Sequence, residues 1–457
     1  MSRKFFGTDG VRGVANQKLT SELAMQLGKA AGRLLIQTGQ VRRVVIGMDT
    51  RRSGSMLCSA LSAGLCSVGI DVVSIGIAPT PTIAFVARTG NYGLGVIISA
   101  SHNPAPDNGI KFVGHDGCKL ADEVEEIIES LMDLHQTGPT GAGVGTLFTD
   151  RSEISGYVQM LEDVVPERLD GMKIAMDAAN GAAYELGPLI LKRLGAEVHL
   201  VGAEPDGMNI NAEGGATKPA TIQDLTQTVG AEIGVAFDGD ADRAVFSDEK
   251  GRLINGDRTI GIWAAHYQKS NELNPPTVVG TVMSNGGFGG YMLSLGITLE
   301  RTPVGDKYVA QKIQETGALI GGEQSGHIIF PRRGPTGDGL VTMLELLRVL
   351  KREGRPSSSF YDDYEPWPQL MINVAVTSTE SWKKKISAEM EHAETALMGR
   401  GRVVVRPSGT QPVIRVMVEA DEYELRDRVA DHIVDAMVRE MGGEAHGRVD
   451  LTYALGD

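Results

Sequence analysis

The feature that most constrains this chain is a repeated one: short, β-branched apolar runs that each stop on a polar residue, with helical stretches between them. Val44-Val-Ile-Gly-Met-Asp49 and Gly95-Val-Ile-Ile-Ser-Ala-Ser101 form one pair of runs. Lys173-Ile-Ala-Met-Asp177 and Ile233-Gly-Val-Ala-Phe-Asp238 form a second, and Thr277-Val-Val-Gly-Thr-Val-Met-Ser284 and Ala318-Leu-Ile-Gly-Gly-Glu323 a third. Runs this short and this branched are buried strands rather than core helices. Between them lie amphipathic stretches, the first capped by Thr20 or Ser21 and running to about Thr38, others covering Thr259 to Gln268 and Gly339 to Lys351. The alternation predicts an α/β fold: three similar domains with parallel or mixed sheets, whose strand ends present polar groups to a shared central cleft. Beyond residue 368 the order changes to strand (369–376), helix (381–398), two strands (402–406 and 412–419) and a helix to about Met441. That order predicts a smaller C-terminal α+β domain.

A chain of 457 residues is too long for one core, since domains hold roughly 100–200 residues each. Linker or turn composition at 137–145, at 251–257 and at 355–368 divides it into 1–150, 151–254, 255–368 and 369–457. The 42% apolar content comes with no run near the roughly 18 residues that a membrane span needs, so no membrane partner is expected. The first residues lack the apolar segment of a secretory signal, which makes the cytoplasm the expected compartment. Cys58, Cys66 and Cys118 form neither an even set nor a Cys-x-x-Cys, so reduced thiols are expected. The formal charge of −14 argues against general nucleic-acid binding and requires any anionic ligand to be held by a local basic cluster.

Chemistry concentrates in a few loops. Asp238-Gly-Asp240-Ala-Asp242-Arg243 sets three carboxylates at alternate positions directly after a buried strand. They repel one another unless a cation sits among them, and all-oxygen ligands suit a hard ion such as Mg²⁺. An EF-hand is excluded because Arg243 occupies the place of the obligatory glycine and the flanks are strands. Arg406-Pro-Ser408-Gly409-Thr410, with Arg415 beyond it, combines guanidinium groups, hydroxyls and a flexible glycine, a composition suited to an oxyanion, although a simple hairpin turn would also serve. Glu323-Gln-Ser325-Gly-His327 offers groups that hydrogen-bond a polyol. Asp9-Gly-Val-Arg12 could touch an anion or merely shape a turn, and Lys111 lies ten positions after Ser101. Ser101 itself stands at the carboxyl end of its strand, where open α/β sheets collect ligand groups. His102 is its neighbour, but adjacent side chains on an extended segment point apart, so it is not expected to act as its base.

In this order the segments resemble the α-D-phosphohexomutase superfamily over essentially the whole chain, and within it the bacterial phosphoglucosamine mutases. Ser-Ala-Ser101-His-Asn-Pro is similar to the phosphoserine loop, Asp238-Gly-Asp-Ala-Asp-Arg243 to the metal loop, Gly322-Glu-Gln-Ser-Gly-His327 to the sugar loop, and Arg406-Pro-Ser-Gly-Thr410 to the phosphate loop. Gln324 resembles the glucosamine branch, where the mannose and glucose branch more often has Met. The resemblance implies four domains, one Mg²⁺ on Asp238, Asp240, Asp242 and phospho-Ser101, and interconversion of glucosamine 6-phosphate with glucosamine 1-phosphate through glucosamine 1,6-bisphosphate. That reaction lies on the route to UDP-N-acetylglucosamine for cell-wall synthesis. It implies that Glu323 and Ser325 contact the sugar, and that Arg406, Ser408, Gly409, Thr410 and Arg415 hold the distal phosphate. Arg12 and Arg243 would bear on the reacting phosphate, Lys111 or His327 would handle the hydroxyl proton, and a homodimer is a family expectation.

Two positions depart from the pattern: Gln411 stands where the family usually has Glu, and Lys307 where it usually has Arg. The rival readings are a phosphomannomutase/phosphoglucomutase of the same superfamily and a non-catalytic sugar-phosphate sensor. A serine hydrolase is disfavoured because no Gly-x-Ser-x-Gly surrounds Ser101.

Overall fold

The computed structural model describes residues 3–7, 9–134, 137–407 and 412–455. Its first sheet contains β1 (Val11–Val14), β2 (Arg43–Met48), β3 (Asp71–Ile77), β4 (Leu94–Ile98), β5 (Asp107–Gly114) and β6 (Leu147–Thr149), in the order β1-β5-β4-β2-β3-β6. β4, β2, β3 and β6 run parallel, and β5 returns antiparallel beside β4. Period-two alternation divides the strands between two cores. Val44, Ile46, Val96 and Ile98 pack on one face under the helices Ser21–Gln37 and Gly54–Ser67, while Val45, Val73 and Ile97 pack on the other under the helix Thr80–Thr89. The helix Ser21–Gln37 starts where expected, with the Thr20 side chain accepting a hydrogen bond from the Leu23 N–H.

The second sheet holds β7 (Lys173–Asp177), β8 (Glu197–Val201), β9 (Ile233–Phe237), β10 (Ala244–Asp248) and β11 (Leu253–Ile254), in the order β11-β10-β9-β7-β8. The third holds β12 (Thr277–Thr281), β13 (Thr298–Thr302), β14 (Gly321–Gly322) and β15 (Ile328–Ile329), in the order β13-β12-β14-β15. One continuous apolar core runs through both, from Ile174, Val235 and Phe237 to Val278, Ile320 and Ile328. The fourth sheet pairs β16 (Gln369–Ala375), β17 (Gly401–Pro407), β18 (Val413–Ala420) and β19 (Glu444–Asp450) antiparallel throughout, covered by the helix Tyr423–Met441. The fold is therefore three similar α/β domains followed by a smaller α+β domain. No helix among the described residues is long and apolar enough to cross a membrane.

One topological rule places all the chemistry. In each α/β domain one parallel strand is followed directly by an antiparallel partner, β4 by β5, β9 by β10 and β14 by β15. The short link between the two strands carries, in turn, Ser101, the aspartate trio, and Glu323 with Ser325. The fourth domain repeats the device, because the link between β17 and β18 contains residues 408–411.

Several elements differ from expectation. The run 318–323 yields a strand of only two residues, Gly321–Gly322, with Ala318 and Ile320 buried ahead of it. The expected helix at 381–398 breaks at Ile386, whose φ of −118° separates Trp382–Lys385 from Ser387–Ala396. β19 was not foreseen: Glu-Ala-His-Gly-Arg-Val-Asp has no apolar period, because as an edge strand it is exposed along its length and held by backbone pairing to β16.

The crossing of the helices Ser21–Gln37 and Gly54–Ser67 is closed by two glycines. A Cβ on Gly64 would fall 2.2 Å from the Met25 carbonyl oxygen, and one on Gly28 would fall 2.2 Å from that of Leu61. Gly64→Ala should therefore destabilise the protein by about 1–3 kcal/mol through overpacking. The check is the thermal unfolding midpoint, and an unchanged midpoint would mean that the helices separate freely.

Candidate active site

Ser101 is buried just beyond β4, and the chain turns sharply there, with φ at +50°. A left-handed serine is a strained position that the surroundings must hold. Arg51 supplies the hold. Its fully buried guanidinium donates to the carbonyls of Ser101 (2.9 Å), Asn103 (2.7 Å), Pro104 (2.5 Å) and Asp107 (2.9 Å), while Nε donates to Asp49 Oδ2 at 2.8 Å. Asp49 also accepts from Ser99 Oγ at 2.6 Å, and Ser99 Oγ accepts from the Ser101 N–H at 2.9 Å. Asn211 of the second domain donates to the Ser101 carbonyl at 2.9 Å. The turn overturns one expectation: because the segment is not extended, His102 Nδ1 comes within 3.3 Å of Ser101 Oγ.

Ser101 Oγ donates to Asp238 Oδ2 at 2.6 Å, so the first and second domains meet at the hydroxyl. Asp238, Asp240 and Asp242 bring one carboxylate oxygen each to within 4.8 Å of one another, with Ala241 left-handed at +57° to shape the loop. Asp240 Oδ1 and Asp242 Oδ1 are buried with no hydrogen-bond partner among the described residues. Orphaned anionic oxygens in a dry loop are the chemistry of a hard divalent cation site, so the residues present fit one. Burial pushes Asp238 well above the usual carboxylate range, and its two neighbours push the same way. Burial and Asp240 raise Asp242 likewise.

Asp240 is the exception. Burial would raise it, but Lys111, the Thr80 hydroxyl and Arg12 outweigh that and bring it to about 2. Thr80 Oγ1 donates to Asp240 Oδ2 at 2.7 Å, and Lys111 Nζ lies 3.4 Å from the same oxygen and 3.2 Å from Asp9 Oδ2. Arg12 pairs with Asp9. Desolvation does lower the Lys111 pKa, as a buried lysine should, but Asp9 and Asp240 reverse the effect and hold its proton firmly. Arg243 Nε stands 3.9 Å from Asp242 Oδ1, and the Arg243 backbone N–H donates to Asp238 Oδ1 at 3.2 Å.

The third domain meets this cluster through a backbone bridge between His327 and Arg243. His327 is buried, with Nδ1 unpartnered among the described residues. Glu323 Oε1 accepts from the Gly305 N–H at 2.9 Å, and Ser325 is buried two positions on. In the fourth domain Arg406 and Arg415 stand directly opposite each other on β17 and β18. Burial and the charge of Arg415 lower the Arg406 pKa, and Glu323 works against them, so the arginine pair faces the sugar loop. Ser408, Gly409, Thr410 and Gln411 lie outside the described residues. Lys307 Nζ reaches across to Asp122 of the first domain at 3.3 Å.

Reasoning from sequence passed over Arg51, Thr80, Asn211 and the pairing role of Asp9. Asp49-Thr-Arg51, an acid and a base two apart at the end of a buried strand, was the available signal for the first. Thr80 and Asn211 act across a domain boundary, and nothing local marks them.

Four family descriptions match the chain in order. Phosphoglucomutase/phosphomannomutase α/β/α domain I matches residues 3–137, domain II residues 155–251, domain III residues 255–367 and the C-terminal domain residues 371–436. The phosphoglucosamine mutase of Methylobacterium radiotolerans is 46% identical over 445 residues, covering 96% of this chain and 99% of that one. That of Desulforamulus reducens is also 46% identical, with the same coverage. Among solved structures, a phosphoglucomutase/phosphomannomutase family protein from Burkholderia thailandensis superposes with a TM-score of 0.80 at 26% identity, over 95% of this chain and 97% of that one.

Arg51→Lys keeps a charge beside Asp49 but loses the fork that holds four carbonyls. With the serine turn loosened, turnover by the protein should fall about 100-fold with KM little changed, as for a misplaced reacting group. Steady-state kinetics with a circular-dichroism check of folding would test this, and unaltered turnover would show that the turn is held by other groups.

Proposed function

From the premise that the chain belongs to the phosphoglucomutase/phosphomannomutase family of α-D-phosphohexomutases, we propose that it is a phosphoglucosamine mutase. It would interconvert glucosamine 6-phosphate and glucosamine 1-phosphate through phospho-Ser101 and a 1,6-bisphosphate. The observation that carries the reading is Ser101 Oγ bonded to Asp238 at the edge of three carboxylates with two orphaned oxygens. The sugar identity is supported by relatives that bear the glucosamine name along nearly the whole chain.

In the forward half-reaction the P–O bond to Ser101 breaks and one forms to the free sugar hydroxyl. The hydroxyl proton goes to His327, whose buried Nδ1 has no other partner among the described residues. Lys111 keeps its proton and presents a fixed positive charge to the transferring group, joined by Arg12 and Arg243. Asp238, Asp240, Asp242 and the phosphoserine would hold Mg²⁺, which would supply Lewis acidity toward the phosphoryl oxygens. The bisphosphate then turns end over end, and Ser101 takes back the other phosphoryl while the proton returns to the product hydroxyl. Glu323 and Ser325 bind the sugar in both orientations, and Arg406 and Arg415 with residues 408–410 hold the distal phosphate.

Ser101→Ala should abolish turnover and leave sugar-phosphate binding in place. Peptide mapping should find phosphate on Ser101, and chelation should stop activity until Mg²⁺ is restored. With glucosamine, glucose and mannose phosphates compared, glucosamine should have the highest kcat/KM. Turnover fastest on mannose or glucose phosphate would favour the other branch of the superfamily, and binding with no turnover of any would favour a sensor.

A further inference from the structure

We infer that Gln324 is a positioning residue. It ties the sugar-binding loop to the C-terminal domain through a buried chain of side-chain hydrogen bonds, and so couples occupancy of that loop to the placement of Arg406.

Gln324 stands between Glu323 and Ser325, yet it is only 2% exposed and its amide points into the domain interface. Its Nε2 donates to Asp257 Oδ2 at 3.0 Å and to Gln369 Oε1 at 3.3 Å, which uses both amide hydrogens. Gln369, the first residue of β16 and fully buried, passes the chain on. Its Nε2 donates to the Met283 carbonyl at 3.0 Å and to Glu419 Oε2 at 3.3 Å. Glu419, also fully buried, accepts from the Gly286 N–H at 3.1 Å and, through its other oxygen, from Arg402 Nε. The Arg402 guanidinium then returns to the third domain, donating to the carbonyls of Val282 at 2.8 Å and Ser284 at 2.5 Å. Arg402 and Arg406 are four apart on β17, so they share one face of that strand. The two neighbours in the sugar loop thus serve different ends: the charge of Glu323 acts on Arg406, and Gln324 fixes the strand on which Arg406 rides.

The surroundings explain why such a chain is needed. The apolar part of the contact is Met283, Met371, Met417 and Leu451, with Val304 packed against it. Methionines adapt their shape and specify position poorly. Apolar burial is also non-directional, so these side chains would keep the fourth domain attached while leaving its angle loosely set. Buried hydrogen bonds add little net stability over a well-packed apolar isostere, but they do select one arrangement. A shift of the fourth domain would break together the bonds that cross to the third, from Gln324 to Gln369, from Gln369 to the Met283 carbonyl, from the Gly286 N–H to Glu419 and from Arg402 to the Val282 and Ser284 carbonyls, so the docked position is strongly selected.

Gln324→Met keeps the volume and removes the link at the sugar loop, and Gln369→Met removes it from the other side. Each should raise KM for the sugar phosphate about fivefold, the worth of roughly one buried hydrogen bond, while kcat changes by less than KM does. Because both variants cut the same chain, the double variant should raise KM no further than either single. Hydrogen exchange without ligand gives a second readout: in either single variant the amides of β17 should exchange faster. Multiplicative KM effects, or β17 exchange unchanged in both variants, would overturn the coupling. The substrate assignment in this inference rests on the proposed mutase activity, whereas the exchange arm does not. Failure of the unmodified protein to turn over any of the three sugar phosphates would sink the activity and leave exchange to decide the coupling.

Discussion

Three carboxylates within 4.8 Å of each other, two buried and the third largely so, are the constraint around which this molecule is arranged. Left alone, Asp238, Asp240 and Asp242 repel, and burial magnifies the repulsion. Only Asp240 escapes it, because Lys111, Thr80 and Arg12 all come from the first domain to meet it. Arg243 of the second domain acts on Asp238 and Asp242, but the groups that hold Asp240 down come from the first, so that acid is balanced only when the two domains are packed together. The same packing delivers Ser101 to Asp238 and lets Asn211 hold the Ser101 carbonyl. Cleft assembly and charge compensation are one event.

The topology makes that convergence repeatable. Each α/β domain ends its parallel set at a central strand and then turns back antiparallel, and the turn-back link is short and emerges at the carboxyl end of the strand. Similar domains arranged about one cleft therefore offer similar links to it. What differs is the residue each link carries: a hydroxyl in the first, acids in the second, and an acid, a hydroxyl and an imidazole in the third. Strand ends are also where strained backbone is cheapest to hold, since the ladder fixes both flanks, and Ser101 and Ala241 both sit there with positive φ.

The strands that end at Asp49, Ser101, Asp177 and Asp238 were legible in the sequence because they are buried on both faces and read as uninterrupted apolar runs. Their antiparallel partners were not. β5 carries Asn108 and Lys111 among its residues, and β15 is only two residues long, so neither shows a strand period. The site divides the same way. Loops whose composition announces a chemistry could be found one at a time, and the structure brings Ser101, Lys111, Asp238, Asp240 and Asp242 together. Arg51 could not be weighed without knowing that four carbonyls would turn toward it, and His102 was misjudged because the serine is left-handed rather than extended. Long-range pairing and local backbone hand are the two quantities that a residue pattern does not carry.

The charges at the two ends of the cleft are opposite in sign. At one end three acids outnumber the lysine beside them and have oxygens to spare. At the other, Arg406 and Arg415 stand opposite each other across a β-ladder, where like charges repel, and the charge of Glu323 opposes the lowering of the Arg406 pKa. A ligand phosphate placed between the arginines relieves that repulsion, and a phosphate brought to a cation among the acids relieves the other. A sugar with a phosphate at each end would satisfy both at once, whichever way round it lies. That symmetry of electrostatic demand allows one intermediate to bind in two orientations of similar energy, provided the distance between the ends is fixed. In this chain the distance depends on how the fourth domain sits on the third, where the buried Gln324, Gln369 and Glu419 and the half-buried Arg402 make directional contacts among flexible methionines.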